Sequence, residues 1–142
     1  MVFAHDTDVA LQTAAALVNT ADGAFDDEGD TLETTDQLRD FYVEWAWTGR
    51  FDGDSAELEQ VRALRPRLRA VWAAADDAEA TVALVNDLLR TGEALPQLVD
   101  HDDYGWHIHA TGADAPFAER MQVEAAMALV DVIRAGELSR LR

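Results

Sequence analysis

The amino-acid sequence predicts a mainly α-helical fold: a multihelical bundle of about five helices, with one β-hairpin at about 95–110 packed on it. Over most of the chain, apolar residues recur at intervals of three and four, the period of an amphipathic helix. The stretch 95–110 instead alternates with the period of two that is typical of paired strands. A length of 142 residues suits one domain, so we expect 1–142 to fold as a single unit.

The first two helices are predicted in the N-terminal third of the chain. Residues 8–20 are rich in alanine and apolar on most sides, which indicates a buried helix. Thr34 and Gln37 have the spacing of a capping box, and the apolar residues behind them share one helix face that ends by Gly49. The acidic stretch 22–33 lacks the glycine and glutamate positions of a calcium loop, so we interpret it as a solvated loop.

Three more helices complete the bundle. The third is predicted to begin at Asp54, and Pro66 interrupts its backbone hydrogen bonding. The fourth, over about 78–91, ends at Gly92. The last begins after Asp114 and is apolar over most of its circumference, so we expect it to be the central helix. Its polar residues form a narrow stripe that can pair internally: Arg120, Glu124, Asp131 and Arg134.

The hairpin contains three of the four histidines, so its register decides what they can do. A four-residue turn would pair His101 with Trp106 and Asp100 with His107. The apolar face is then expected to dock on the helices, and it carries Val99, Trp106 and Ile108. The other face is expected to be polar and solvated, and it carries Asp100, His107 and His109.

Imidazole and carboxylate groups are ligands for transition metals. As an alternative, Asp100, His107 and His109 form a metal site, and the chain is then a metal-dependent enzyme. A dedicated site needs further ligands and an ordered outer shell, and His101 points to the opposite face in the expected register. We therefore expect a solvated face, with no metal or cofactor in this chain. The common catalytic motifs are also absent from the sequence, so we expect no enzymatic activity.

The charge balance excludes several classes of partner. The chain has 28 acidic and 11 basic residues and a net charge of -17. Phosphate contacts require a basic surface, so direct binding to nucleic acid is not expected, nor is binding to an anionic membrane. With no long apolar run and no secretory signal, we expect a cytoplasmic protein, and without cysteine it forms no disulfide.

One basic cluster, Arg62, Arg65, Arg67 and Arg69, stands in this acidic chain. It could form a small-molecule site, with Asn19, Arg65 and Arg69 as the ligand-binding residues, because guanidinium groups grip anions. The alternative, which we favour, is that these arginines pair with nearby carboxylates. Asn19 itself is interpreted either as a helix C-cap or as a buried polar anchor.

Five stretches of the chain carry a resemblance through their order and spacing: 17–20, 34–45, 63–72, 95–111 and 121–142. Taken together, they resemble the N-terminal domain of bacterial CGNR zinc-finger proteins, the ABATE or stress-induced transcription regulator family. The resemblance implies a regulatory or sensor domain that does not itself bind DNA. It also implies that DNA and zinc are bound by a cysteine-rich ribbon expected after Arg142, which this chain lacks. A homodimer and a small ligand are the partners that remain as hypotheses.

Overall fold

The computed structural model describes residues 5–21, Gly23, 29–100 and 106–141, with the backbone alone at His5, Asp6 and His107. Within these residues the mainly α fold class with one hairpin is confirmed. The elements in chain order are α1 (His5–Val18), α2 (Thr35–Glu44), α3 (Ser55–Ala73), α4 (Ala78–Thr91), β1 (Gln97–Asp100), β2 (Trp106–His109), α5 (Phe117–Arg134) and a short 3-10 helix (Leu138–Leu141).

Side-chain caps set the starts of α2 and α3 where the sequence predicts them. The Thr34 hydroxyl accepts a hydrogen bond from the Gln37 amide at 3.1 Å, and the Gln37 side chain accepts one from the Thr34 amide at 3.1 Å. The capping box is therefore confirmed. Asp54 caps α3, which continues through Pro66 to its last residue, Ala73. The predicted end of α2 is late, because the helix ends at Glu44 rather than near Gly49.

The last helix, α5, is the central one, as expected. It packs against α1, α3 and α4, and it is buried on most sides. Gly92 lets α4 approach closely, since a Cβ atom there would lie 2.7 Å from Val123 Cγ2. The contact with α1 includes a hydrogen bond of 2.7 Å, which the Thr7 hydroxyl donates to Asp131.

Arg120, the first residue of the predicted polar stripe, reaches from α5 to the loop between α2 and α3. Its side chain is buried among aromatic rings, with its guanidinium carbon 5.8 Å from the Trp47 ring centre and 5.6 Å from that of Phe117. It donates hydrogen bonds to the backbone carbonyls of Thr48, Arg50 and Ala115. A single side chain of the central helix thus fixes the loop between α2 and α3.

The hairpin register differs by one residue from the predicted one. Asp100 pairs with Trp106 and Leu98 with Ile108, so five residues rather than four separate the paired ends. Because side chains alternate along a strand, a shift of one residue in the pairing changes which side chains of the two strands share a face. The predicted pairing of His101 with Trp106 is therefore replaced, and His101 itself lies outside the described residues.

The predicted docking of Trp106 and Ile108 on the helices is wrong. Trp106 is 73% exposed and Ile108 50%, and Leu98, on the same face, is 69% exposed. Val99, the third residue of the predicted docking face, is half-buried and faces away from these three side chains. Within the described chain, each strand contacts the other strand more than it contacts any helix, and most of their side chains are exposed.

Across the described ranges, no helix combines the length and the apolar character that crossing a lipid bilayer requires.

Candidate functional site

The arginine cluster of α3 is organised around one carboxylate, Asp30, in the loop between α1 and α2. Arg65 donates to both oxygens of Asp30, at 3.0 and 2.9 Å, and both side chains are 9% exposed. Arg62 lies 3.1 Å from the same carboxylate. The hydrogen bond from Arg65 lowers the pKa of Asp30 to about 2, although burial opposes this shift. The carboxylate is therefore a permanent anion under ordinary conditions.

The same pair connects α3 to the end of α1. Arg65 also donates to the Thr20 hydroxyl at 3.1 Å, and the Asp30 carboxylate accepts from the Leu32 amide at 2.8 Å. Sequence reasoning missed both Asp30 and Thr20 as partners of the cluster. Asp30 is one of several acidic residues in its loop, and no local signal marks it as the one that reaches α3.

Arg67 faces a different neighbour. It lies 3.3 Å from the carboxylate of Asp87 on α4, and it donates to the Thr91 hydroxyl at 2.8 Å and to Gln122 on α5 at 3.2 Å. Three of the four clustered arginines are thus paired with carboxylates. The interpretation that this cluster neutralises nearby acids is confirmed for Arg62, Arg65 and Arg67.

Arg69 is the member of the cluster that this interpretation does not cover. It is exposed, and within the described parts of the chain it makes no hydrogen bond or ion pair. Together with Asn19 it lines a groove between α1 and α3, with a volume of about 370 Å³. We call this the α1–α3 groove, and its lining residues are Ala15, Val18, Asn19, Arg69, Trp72 and Ala73.

Asn19 directly follows the last residue of α1, and its amide donates to the Ala15 carbonyl at 2.9 Å. Its position is therefore that of a C-cap. The side chain is exposed, so the interpretation of Asn19 as a buried anchor is wrong. The neighbouring Thr20, held by Arg65, takes the anchoring role instead.

The alternative metal set on the hairpin is changed by the observed register. His109 pairs with Gln97, and Asp100 is three residues further along β1, an odd number. Asp100 and His109 therefore lie on opposite faces of the hairpin. The described residues contain no group of three histidines and carboxylates arranged to hold a metal ion.

A family model described as "Putative stress-induced transcription regulator", named ABATE, matches residues 11–136. The chain belongs to the ABATE family. The match extends from α1 to the residues just past α5, so the arginine cluster, the groove and the hairpin all lie within the ABATE domain. No curated protein matches the sequence.

In this ABATE domain, the structure brings together two of the three predicted ligand-binding residues. Asn19 and Arg69 line one groove, whereas Arg65 is one helical turn away and is occupied by Asp30. Trp72, which supplies the aromatic wall, was missed as a site residue, although its three-residue spacing from Arg69 places both on one side of α3.

Proposed function

We propose that this ABATE domain is a non-enzymatic regulatory domain of a cytoplasmic stress-induced transcription regulator, and that it does not itself bind nucleic acid. The observation that carries the proposal is the pairing of its basic cluster. Arg62 and Arg65 are held by Asp30, and Arg67 by Asp87, so these guanidinium groups are engaged within the fold.

The overall charge supports the same conclusion. Phosphate backbones are bound by unpaired arginine and lysine side chains gathered on one surface. This chain has no lysine, and its net charge is -17. Within the arginine cluster, the exposed Arg69 is a single residue rather than a basic face.

The central helix offers a route by which a change in the body could be passed on. α5 packs against α1, α3 and α4, so a shift of any of these helices acts on it. Three residues after its end, the 3-10 helix begins, in which Leu141 is buried. A regulatory domain requires such a shared element, because a signal must change the equilibrium between two arrangements of the whole body.

Fluorescence anisotropy with a labelled DNA duplex tests the proposal. The chain should give no saturable binding at low ionic strength, where phosphate contacts are strongest. A basic DNA-binding protein on the same duplex serves as the positive control. Saturable binding that weakens as salt is added would show a phosphate-binding surface on this domain and would contradict the proposal.

A further inference from the structure

The α1–α3 groove combines an apolar wall with two exposed polar side chains. Its volume of about 370 Å³ lies in the range of small-molecule sites, about 300–1,000 Å³. Trp72 provides a flat indole, and the small side chains of Ala15 and Ala73 leave space beside it. Arg69 and Asn19 contribute a guanidinium and a carboxamide, both of which donate hydrogen bonds.

The groove carries one positive side chain, Arg69, in a chain that is acidic as a whole. Arg62, Arg65 and Arg69 follow one another at spacings of three and four on α3, so they share one helix face. Arg62 and Arg65 are paired with the carboxylate of Asp30, whereas Arg69 makes no hydrogen bond or ion pair within the described residues. Among the arginines of this cluster, Arg69 is therefore the one whose charge an anion in the groove can pair with.

From these observations we propose that the α1–α3 groove binds a small organic carboxylate with a flat apolar body. The carboxylate is held by Arg69, with a further hydrogen bond from the Asn19 carboxamide, and the flat body lies against Trp72. Arg69 suits this role because its donors make no hydrogen bond within the described residues, whereas those of Arg65 are bound to Asp30. The proposal rests on the regulatory function above, for which such a carboxylate would be the signal.

Three small probes separate the two halves of the proposed ligand. Benzoate carries both the charge and the ring, benzamide the ring without the charge, and acetate the charge without the ring. Binding is measured by NMR titration of the Trp72 indole N–H signal, which a Trp72→Phe variant assigns. Benzoate should bind at least about tenfold more tightly than either other probe, which corresponds to about 1.4 kcal/mol.

Two variants test the site itself. Arg69→Gln should weaken benzoate binding at least about tenfold and leave benzamide binding unchanged, because only the carboxylate of benzoate loses a charged hydrogen bond. Ala73→Phe should weaken both by filling the groove. Arg134→Gln is the matched control: Arg134 is also exposed and makes no ion pair in the described residues, and its loss should leave benzoate binding unchanged.

The proposal fails if benzoate binds no more tightly than benzamide, or if Arg134→Gln weakens it as much as Arg69→Gln does. Arg69→Gln and Arg134→Gln both replace exposed side chains, and circular dichroism verifies that the two variants fold. The outcome is independent of the DNA experiment. If the chain binds neither benzoate nor DNA, only the proposed ligand is contradicted. If the chain binds DNA, the proposed regulatory function is contradicted, while the groove can still bind benzoate.

Discussion

Arg65 and Asp30 form a buried, two-pronged ion pair that joins α3 to the loop between α1 and α2. The two nitrogen–oxygen distances are 3.0 and 2.9 Å, and each side chain is 9% exposed. The geometry is the parallel arrangement that guanidinium and carboxylate groups prefer. Since the partners are 35 positions apart, the pair closes a long segment of chain onto the helical body.

Replacing Asp30 with alanine should destabilise the fold by about 3 kcal/mol, because removing one partner leaves the Arg65 charge buried and unpaired. Urea unfolding followed by circular dichroism measures the loss. Asp52→Ala is the matched control, since Asp52 pairs with Arg50 in an exposed position, and we expect no measurable change there. Equal stability of the two variants would contradict a buried pair at Asp30.

The stability difference between the wild type and Asp30→Asn should shrink as pH falls. The pKa of Asp30 is lowered from 3.8 to about 2 in the folded state. The folded state therefore binds fewer protons than the unfolded state, and the contribution, about 2 kcal/mol, is complete above pH 3.8 and lost as pH falls toward 2. Urea unfolding at several pH values between neutral and about 2.5 tests this; a constant difference would contradict the lowered pKa.

Arg120→Lys should cost about 2 kcal/mol although it preserves the charge. Arg120 is buried and donates to three backbone carbonyls, and an ammonium on a flexible stem cannot reproduce that fork. Urea unfolding gives the difference. The exposed Arg134→Lys on the same helix should leave stability unchanged, so a comparable loss in both variants would show that the carbonyl contacts are not the cause.

Trp106→Ser should change the free energy of unfolding by no more than about 0.5 kcal/mol, because the indole is 73% exposed and little burial is lost. Phe117→Ala, in the core, should cost about 3–5 kcal/mol. Thermal and urea unfolding of both variants give the comparison. A large loss in Trp106→Ser would mean that the hairpin packs on the helices in solution, as the alternation pattern first suggested.

Local signals in the sequence predict the helices well. The capping box at Thr34, the cap at Asp54 and the glycine after α4 all act within one or two turns of chain, and all three are observed. The apolar circumference of α5 likewise predicts its central position, because a helix with no wide polar face must be covered by others.

The hairpin and the site depend on information that is not local. The observed pairing differs from the predicted one by one position, and because side chains alternate along a strand, this changes which of them share a face. The partners of the arginine cluster required the folded chain, because Asp30 and Asp87 reach α3 from different elements. Spacing alone predicted that Arg65 and Arg69 share a helix face, but not that one is occupied and the other exposed.

The exposed hairpin face also bears on the colloidal behaviour of the protein. At neutral pH the net charge of -17 keeps molecules apart, although Leu98, Trp106 and Ile108 are open to solvent. Near the isoelectric point, about 4.3, that repulsion vanishes while the apolar face remains. The protein should therefore precipitate most readily close to this pH, and Trp106→Ser should make it measurably more soluble there, as light scattering would show.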